Sequence, residues 1–201
     1  TFGEARFRFP RREDVLVELV AWVRAQLAAG ITPVLLAEPL TVAPELVCAL
    51  GSDVPVSAHR DIATVVGTLR ALGYEHLAKV RRYARAPAPG HVLLWPVGKR
   101  DAEALHQCVR NNACKLALVS GWAGDASVVE RARVDAAFVL ADEADFDELG
   151  DHVAQYGAEK VYLVGGASAA RVELAAGLRE KHHIIDVEWL GPPQRLPLFP
   201  A

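Results

Sequence analysis

The chain has no methionine, only three cysteines, and aromatic residues at 7% of its 201 positions. Cys48, Cys108 and Cys114 form an odd set without CxxC spacing. That excludes a disulfide framework and a zinc knuckle, and the three read as small buried thiols. No apolar run approaches the roughly 18 residues a membrane span needs. The first twenty residues, which carry Arg6, Arg8, Arg11 and Arg12, lack the apolar centre of a signal peptide. A cytoplasmic protein with no membrane partner is the expectation. An excess of one charge is missing too: 22 Lys and Arg oppose 25 Asp and Glu, net −3, which excludes a uniformly basic nucleic-acid binder.

What is abundant is small and branched apolar. Ala (34), Val (25) and Leu (24) supply most of the 52% hydrophobic content, enough for a packed core and incompatible with disorder over the bulk of the chain. Charge is unevenly spread. Residues 1–100 carry 13 basic and 9 acidic side chains, net +4, whereas 101–201 carry 9 and 16, net −7. The basic residues concentrate in Arg6-Phe7-Arg8-Phe9-Pro10-Arg11-Arg12 and Lys79-Val80-Arg81-Arg82-Tyr83-Ala84-Arg85. Both clusters interleave cations with aromatics, as surfaces that contact nucleic acid do, and both also read as solvated helix faces.

Periodicity gives alternating helix and strand. Apolar positions Val15, Leu16, Leu19, Val20, Val23 and Leu27 predict a helix over 11–29 that Gly30 ends. Strands are expected at 31–37, 54–58, 91–97, 115–120, 136–141, 161–164 and 184–189. Helices are expected at 43–50, 61–72, 101–110, 127–133, 145–156 and 168–181, with a helix or turn over 75–84. Continuous Val/Leu runs joined by helices imply an α/β class, a largely parallel sheet with helices on both faces. The Pro-rich tail 191–201 is expected to be extended.

Ligands of such sheets gather beyond the carboxyl ends of the strands. Glu38, His59, Ser120-Gly121-Trp122, Asp142 to Asp145 and Gly165-Gly166-Ala167-Ser168 fall there. His59 has no nearby sequence partner and reads as hydrogen-bonded structure rather than as an acid or base. Gly165-Gly166 precede a helix amino terminus, which admits a small phosphate ligand or simply a tight turn.

The order of motifs resembles a known family. Thr1-Phe2-Gly3 with Phe7 to Glu13, Pro33 to Ala37 with Glu45-Leu46, Pro55-Val56 with His59, and Ala117 to Trp122 follow the landmarks of β-CASP metallo-β-lactamase-fold nucleases. The likeness is to the bacterial ligase-associated DNA exonuclease-like and mRNA 3′-end processing factor-like proteins. Phe138 to Phe146 and Lys160 to Gly166 resemble the two late motifs that active members write SDHADF and VYxxHG. The resemblance implies a Rossmann-like β-CASP region at 1–134, a metallo-β-lactamase-like return segment at 135–190 and a tail at 191–201.

The departures shape the functional expectation. The late histidines that act at the scissile phosphate and bind metal correspond here to Glu143 and Gly165. Glycine offers no ligand, and a carboxylate cannot replace an imidazole beside phosphate. Six acids lie between Asp142 and Asp151; they would repel a phosphodiester, although a helix amino terminus accounts for several. The family's early HxHxDH cluster is absent, and His182-His183 is a poor chelate. The expectation is therefore a catalytically degenerate, nucleic-acid-facing or protein-interaction module with no metal and no cofactor. The alternative is the carboxy-terminal part of a metal-dependent exonuclease completed by a missing or separate lactamase half. If the resemblance holds, Ser120 and Gly121 are candidate phosphate contacts, since a small hydroxyl and exposed backbone amides at a strand end suit an anion, with Arg81, Arg82 and Lys99 as backbone-positioning charges. Partners would be weakly held nucleic acid, a second copy, or a lactamase-fold chain. The edge of the 136–190 sheet would be open, paired with another chain, or joined to the first unit as one continuous sheet.

Overall fold

Short Val/Leu runs flanked by amphipathic stretches must hide both faces of each strand. The computed structural model, which describes residues 2–184 and 186–191, shows how. The chain forms two compact units, one spanning Phe9–Asp142 and the other combining the first eight residues with the chain from Glu143 onward.

In the larger unit, helix α1 (Arg12–Ala28) turns Val15, Leu19 and Val23 inward. Gly30, with φ +73°, ends it in a conformation that costs a side-chain-bearing residue free energy. Strands β1 (Thr32–Ala37), β2 (Val56–Ala58), β3 (Val80–Arg82), β4 (Val92–Pro96), β5 (Cys114–Val119) and β6 (Ala136–Phe138) form one sheet in the order β3-β2-β4-β1-β5-β6. Every pairing in it is parallel. Pro33 is tolerated in the central strand because the β1–β4 register begins only at Val34. Alternation divides the core. Leu35, Ala37, Val56, Ala58, Val92 and Leu94 meet α1, α2 (Val42–Leu50) and α3 (Arg60–Ala71). Val34, Leu36, Leu93, Trp95 and Leu118 meet α4 (Glu103–Asn111) and α5 (Ala126–Ala132).

The α/β class and the mostly parallel sheet flanked by helices are as the periodicity predicts. Three details differ. Residues 80–82 are an edge strand rather than part of a helix or turn, because Val80 packs into the core and Val56, Ser57 and Ala58 offer a free ladder. The strand expected at 136–141 stops at Phe138. Among the thiols, Cys108 is buried, Cys114 half-buried and Cys48 exposed.

The smaller unit contains α6 (Phe146–Gln155), β7 (Lys160–Val164), α7 (Ser168–His182) and β8 (Asp186–Leu190). Strands β7 and β8 pair in parallel as a separate two-stranded sheet, so of the expected alternatives the one continuous sheet is not formed among the described residues. Leu178, Ile184 and Val187 centre its core, with Val153, Val161 and Leu163 against them. The opposite face carries Tyr162, Val164 and Leu190, all exposed, so coverage on both faces holds for the large sheet alone. The amino-terminal residues belong here: Phe2 and Phe7 are buried edge to face at 5.1 Å, and Phe146 N–H donates to the Phe7 carbonyl at 3.1 Å. Of the tail, residues 192–201 lie outside the described residues. No helix among the described residues is long and apolar enough to cross a membrane.

Candidate nucleic-acid interface

Sheet order defines a crevice in the larger unit. From β1 the chain leaves to α2 on one face, and from the adjacent β4 it leaves to α4 on the other. The two connections part, which makes the carboxyl ends of β1 and β4 the topological switch point where ligands of open parallel sheets bind.

Trp95 organises the neighbouring rim. It is buried at the end of β4, its Nε1–H donates to the Lys99 carbonyl at 2.9 Å, and its rings meet His59 at 4.7 Å and Tyr83 at 5.5 Å. His59 caps α3: its Nδ1 accepts the Asp61 N–H at 3.2 Å. Asp61 in turn receives Lys99 Nζ at 2.6 Å and lies 3.4 Å from Arg60 Nε. The Lys99 hydrogen bond holds the Asp61 carboxyl below its ordinary range.

His59 is therefore hydrogen-bonded structure, but the expectation that it lacks a nearby sequence partner does not hold: Asp61, two residues on, gives it the backbone N–H and sets Oδ2 3.6 Å from its Nδ1. Burial pushes its pKa below 6.5; Asp61 opposes that, while Lys99, Arg60 and Arg82 reinforce it. As pH falls the unfolded chain takes up the proton first. Stability present at neutral pH is thus lost as pH drops through the unfolded value and toward the folded one. His59→Asn keeps a capping acceptor without the titration. Melting temperatures between pH 8 and 5 are expected to fall less for this variant than for the natural chain; parallel curves would refute the assignment.

The two basic clusters fare differently. In the first, Arg6 pairs with Glu4, Arg8 with Asp147, and Arg11 with Glu13. Arg12 grips Glu45 through Nε and Nη2 at 2.8 and 2.9 Å. Each of these cations therefore has a carboxylate within 4 Å, the Arg11–Glu13 pair being the loosest at 3.9 Å. In the second, Lys79, Arg81, Arg82 and Arg85 are exposed and, among the described residues, have no carboxylate partner. Because β3 is a strand and not a helix, Arg81 and Arg82 project to opposite faces. Arg82 lies in register with Ala58, close enough to act on His59.

Ser120 and Gly121 follow β5, beyond the central strand from Lys99. Ser120 N–H donates to the Phe138 carbonyl and its Oγ accepts the Trp122 N–H at 3.3 Å. This turn tucks Gly121 out of solvent, so the expected exposed amide at Gly121 is not present; the Ser120 hydroxyl remains half-exposed.

Glu143 is exposed and Gly165 sits in the turn after β7 with φ +74°. The acidic run is largely structural. Asp145 and Glu148 form a reciprocal capping box on α6, Asp147 pairs with Arg8 and Lys181, and Asp151 lies near Lys181 and His182. Among the described residues no group of three His, Cys, Asp or Glu side chains could hold a metal ion.

Trp95 is what sequence reading missed: within an apolar strand, only its polar Nε1–H signalled a further task.

No protein-family profile matches the chain. A probable DNA ligase of Opitutus terrae is 28% identical over 182 residues, which cover 90% of this chain and 17% of that protein. The chain thus spans less than a fifth of the relative it matches.

Proposed function

We propose that the chain is a non-hydrolytic, nucleic-acid-facing module of a DNA-processing protein, built on the β-CASP plan. In this reading residues 1–134 are the β-CASP-like region, 135–190 the return segment and 191–201 a tail. The similarity to a probable DNA ligase supports the DNA-processing part, and the motif order supports the rest. The observation that carries the proposal is the set of cations on and beside β3 that have no carboxylate partner among the described residues, next to the carboxyl edge where this sheet type takes its ligands. Glu143 and Gly165 stand where the family's late histidines act, which argues against hydrolysis.

Such contacts position a backbone without reading bases, so binding should be weak and steeply salt-dependent. Replacing Arg81 and Arg82 together by glutamine is expected to lower affinity for a single-stranded oligonucleotide. The slope of log K against log salt should fall in magnitude by about 1.4, at about 0.7 per phosphate contact. Arg6→Gln, which removes an already paired charge, should leave it unchanged. Fluorescence anisotropy between 20 and 200 mM salt, as an order-of-magnitude range, reads both. No binding at the low-salt end, or a slope the double variant does not move, would defeat the proposal. Stoichiometric zinc or manganese accompanied by DNA hydrolysis would restore the exonuclease alternative.

A further inference from the structure

The turn between β7 and α7 holds a guanidinium that has no carboxylate partner among the described residues. Arg171 Nη1 donates to the carbonyls of Gly165 (2.9 Å) and Gly166 (2.7 Å), and Nη2 donates to Ser168 Oγ (3.1 Å). Its Cζ lies 4.1 Å over the Trp189 ring. Every one of these partners is neutral. Arginine carries five N–H donors. Three are used, which leaves Nε–H and one Nη2 N–H without a partner among the described residues. Those two form the side-on fork that takes two oxygens of an oxyanion.

Arg171 and Ser168 line a cavity of about 270 Å³ together with Val172, Ala175 and Trp189, and with Arg179 and Glu188. Arg179 Nη2 donates to the Val187 carbonyl, and Glu188 is held by Lys160 at 2.6 Å. The volume lies just below the roughly 300–1,000 Å³ of typical ligand sites, and the apolar walls with a few fixed donors match their usual make-up. Two further features favour phosphate over carboxylate. The Ser168 hydroxyl accepts from Arg171 and keeps its own proton to donate, giving a third donor beside the fork. Ala167 places no side-chain cap on α7, so the first-turn amides of a 15-residue helix add positive potential. The two glycines take part through their carbonyls, which fix the arginine; the guanidinium, rather than a glycine-amide cradle, is the anion donor.

We propose that this cavity binds a nucleoside monophosphate group, its phosphate on the Arg171 fork and its sugar and base against Val172, Ala175 and the Trp189 edge. The site is independent of the cationic β3 edge, so either can fail without the other.

The test is calorimetric titration of the full chain with dAMP, deoxyadenosine and a 5′-phosphorylated trinucleotide. dAMP is expected to bind, and deoxyadenosine to bind at least tenfold more weakly. Arg171→Gln should weaken dAMP binding ten- to a hundredfold. Arg171→Lys, which keeps the charge but not the fork, should fall between. Ala175→Phe fills the cavity and leaves Arg171 in place, and it too should abolish binding; this guards against a simple loss of the turn in the arginine variants. A trinucleotide binding tighter than dAMP identifies a strand terminus as the source of the phosphate, and the reverse order identifies a free nucleotide; both support the site. Absence of binding by either ligand, or binding that Arg171→Gln and Ala175→Phe leave within twofold, overturns it.

Discussion

Replacing Trp95 by alanine is expected to destabilise the Phe9–Asp142 unit by about 3–5 kcal/mol, a drop in melting temperature of roughly 10–20 °C. The side chain is only 2% exposed, so its deletion forfeits nearly all of its transfer free energy and leaves a cavity. It also removes the donor to the Lys99 carbonyl and the ring against which His59 and Tyr83 lie. Trp95→Phe keeps most of the apolar volume and loses the indole N–H, and about 1–3 kcal/mol is expected for it. Denaturant unfolding followed by circular dichroism separates the two. An alanine variant that melts within about 3 °C of the natural chain, less than 1 kcal/mol on that scale, would show that the aromatic cluster does not organise this rim.

Phe146→Ala in the smaller unit should cost a similar 3–5 kcal/mol, and it should also reverse the sign of a second substitution. A Cβ added at Gly177 would lie 2.7 Å from Phe146 Cζ. Replacing a helical glycine by alanine gains about 1 kcal/mol of propensity, whereas forcing a methyl into a closed contact costs about 1–3 kcal/mol. With the ring present the contact wins, and Gly177→Ala is expected to lose about 1 kcal/mol. With the ring gone only propensity remains, and the same change should gain about 1 kcal/mol. The coupling of about 2 kcal/mol is typical of residues in direct contact. Gly177→Ala having equal effects in both backgrounds would mean that α6 and α7 do not pack through this pair.

The elements themselves were largely legible because burial dictates them. Val34 to Ala37 and Val92 to Trp95 can only be strands covered on both faces, and Gly30 can only end a helix. What periodicity could not resolve was short and marginal. Val80-Arg81-Arg82 is too brief to show a period, and it became a strand because a partner ladder was open beside it, which is a tertiary fact. The sheet boundary failed for the same reason: nothing local in Lys160 to Val164 tells whether β7 joins a large sheet or pairs with β8 alone.

For the candidate site, sequence located the carboxyl-edge residues but not their ion pairing. Arg6 to Arg12 and Lys79 to Arg85 look alike as strings. Only folding brings Glu45 and Asp147 to the first cluster and, among the described residues, leaves the second without a carboxylate. Arg171 was invisible for a related reason: its importance lies in three neutral acceptors and one ring that the turn assembles around it.

A two-stranded parallel sheet satisfies only half of its main-chain donors and acceptors within itself, since each strand has a single neighbour. In β7 and β8 the ladder therefore contributes little to its own persistence. The register is fixed instead by Leu178 and Ile184 pressing on Val161 and Val187 from one side. Mechanically the carboxyl-terminal unit is a helix pair that carries two strands, the inverse of the larger unit, where the sheet carries the helices. Sequence change should accordingly be tolerated along the outer face of β7 and β8 and resisted along the inner face of α7.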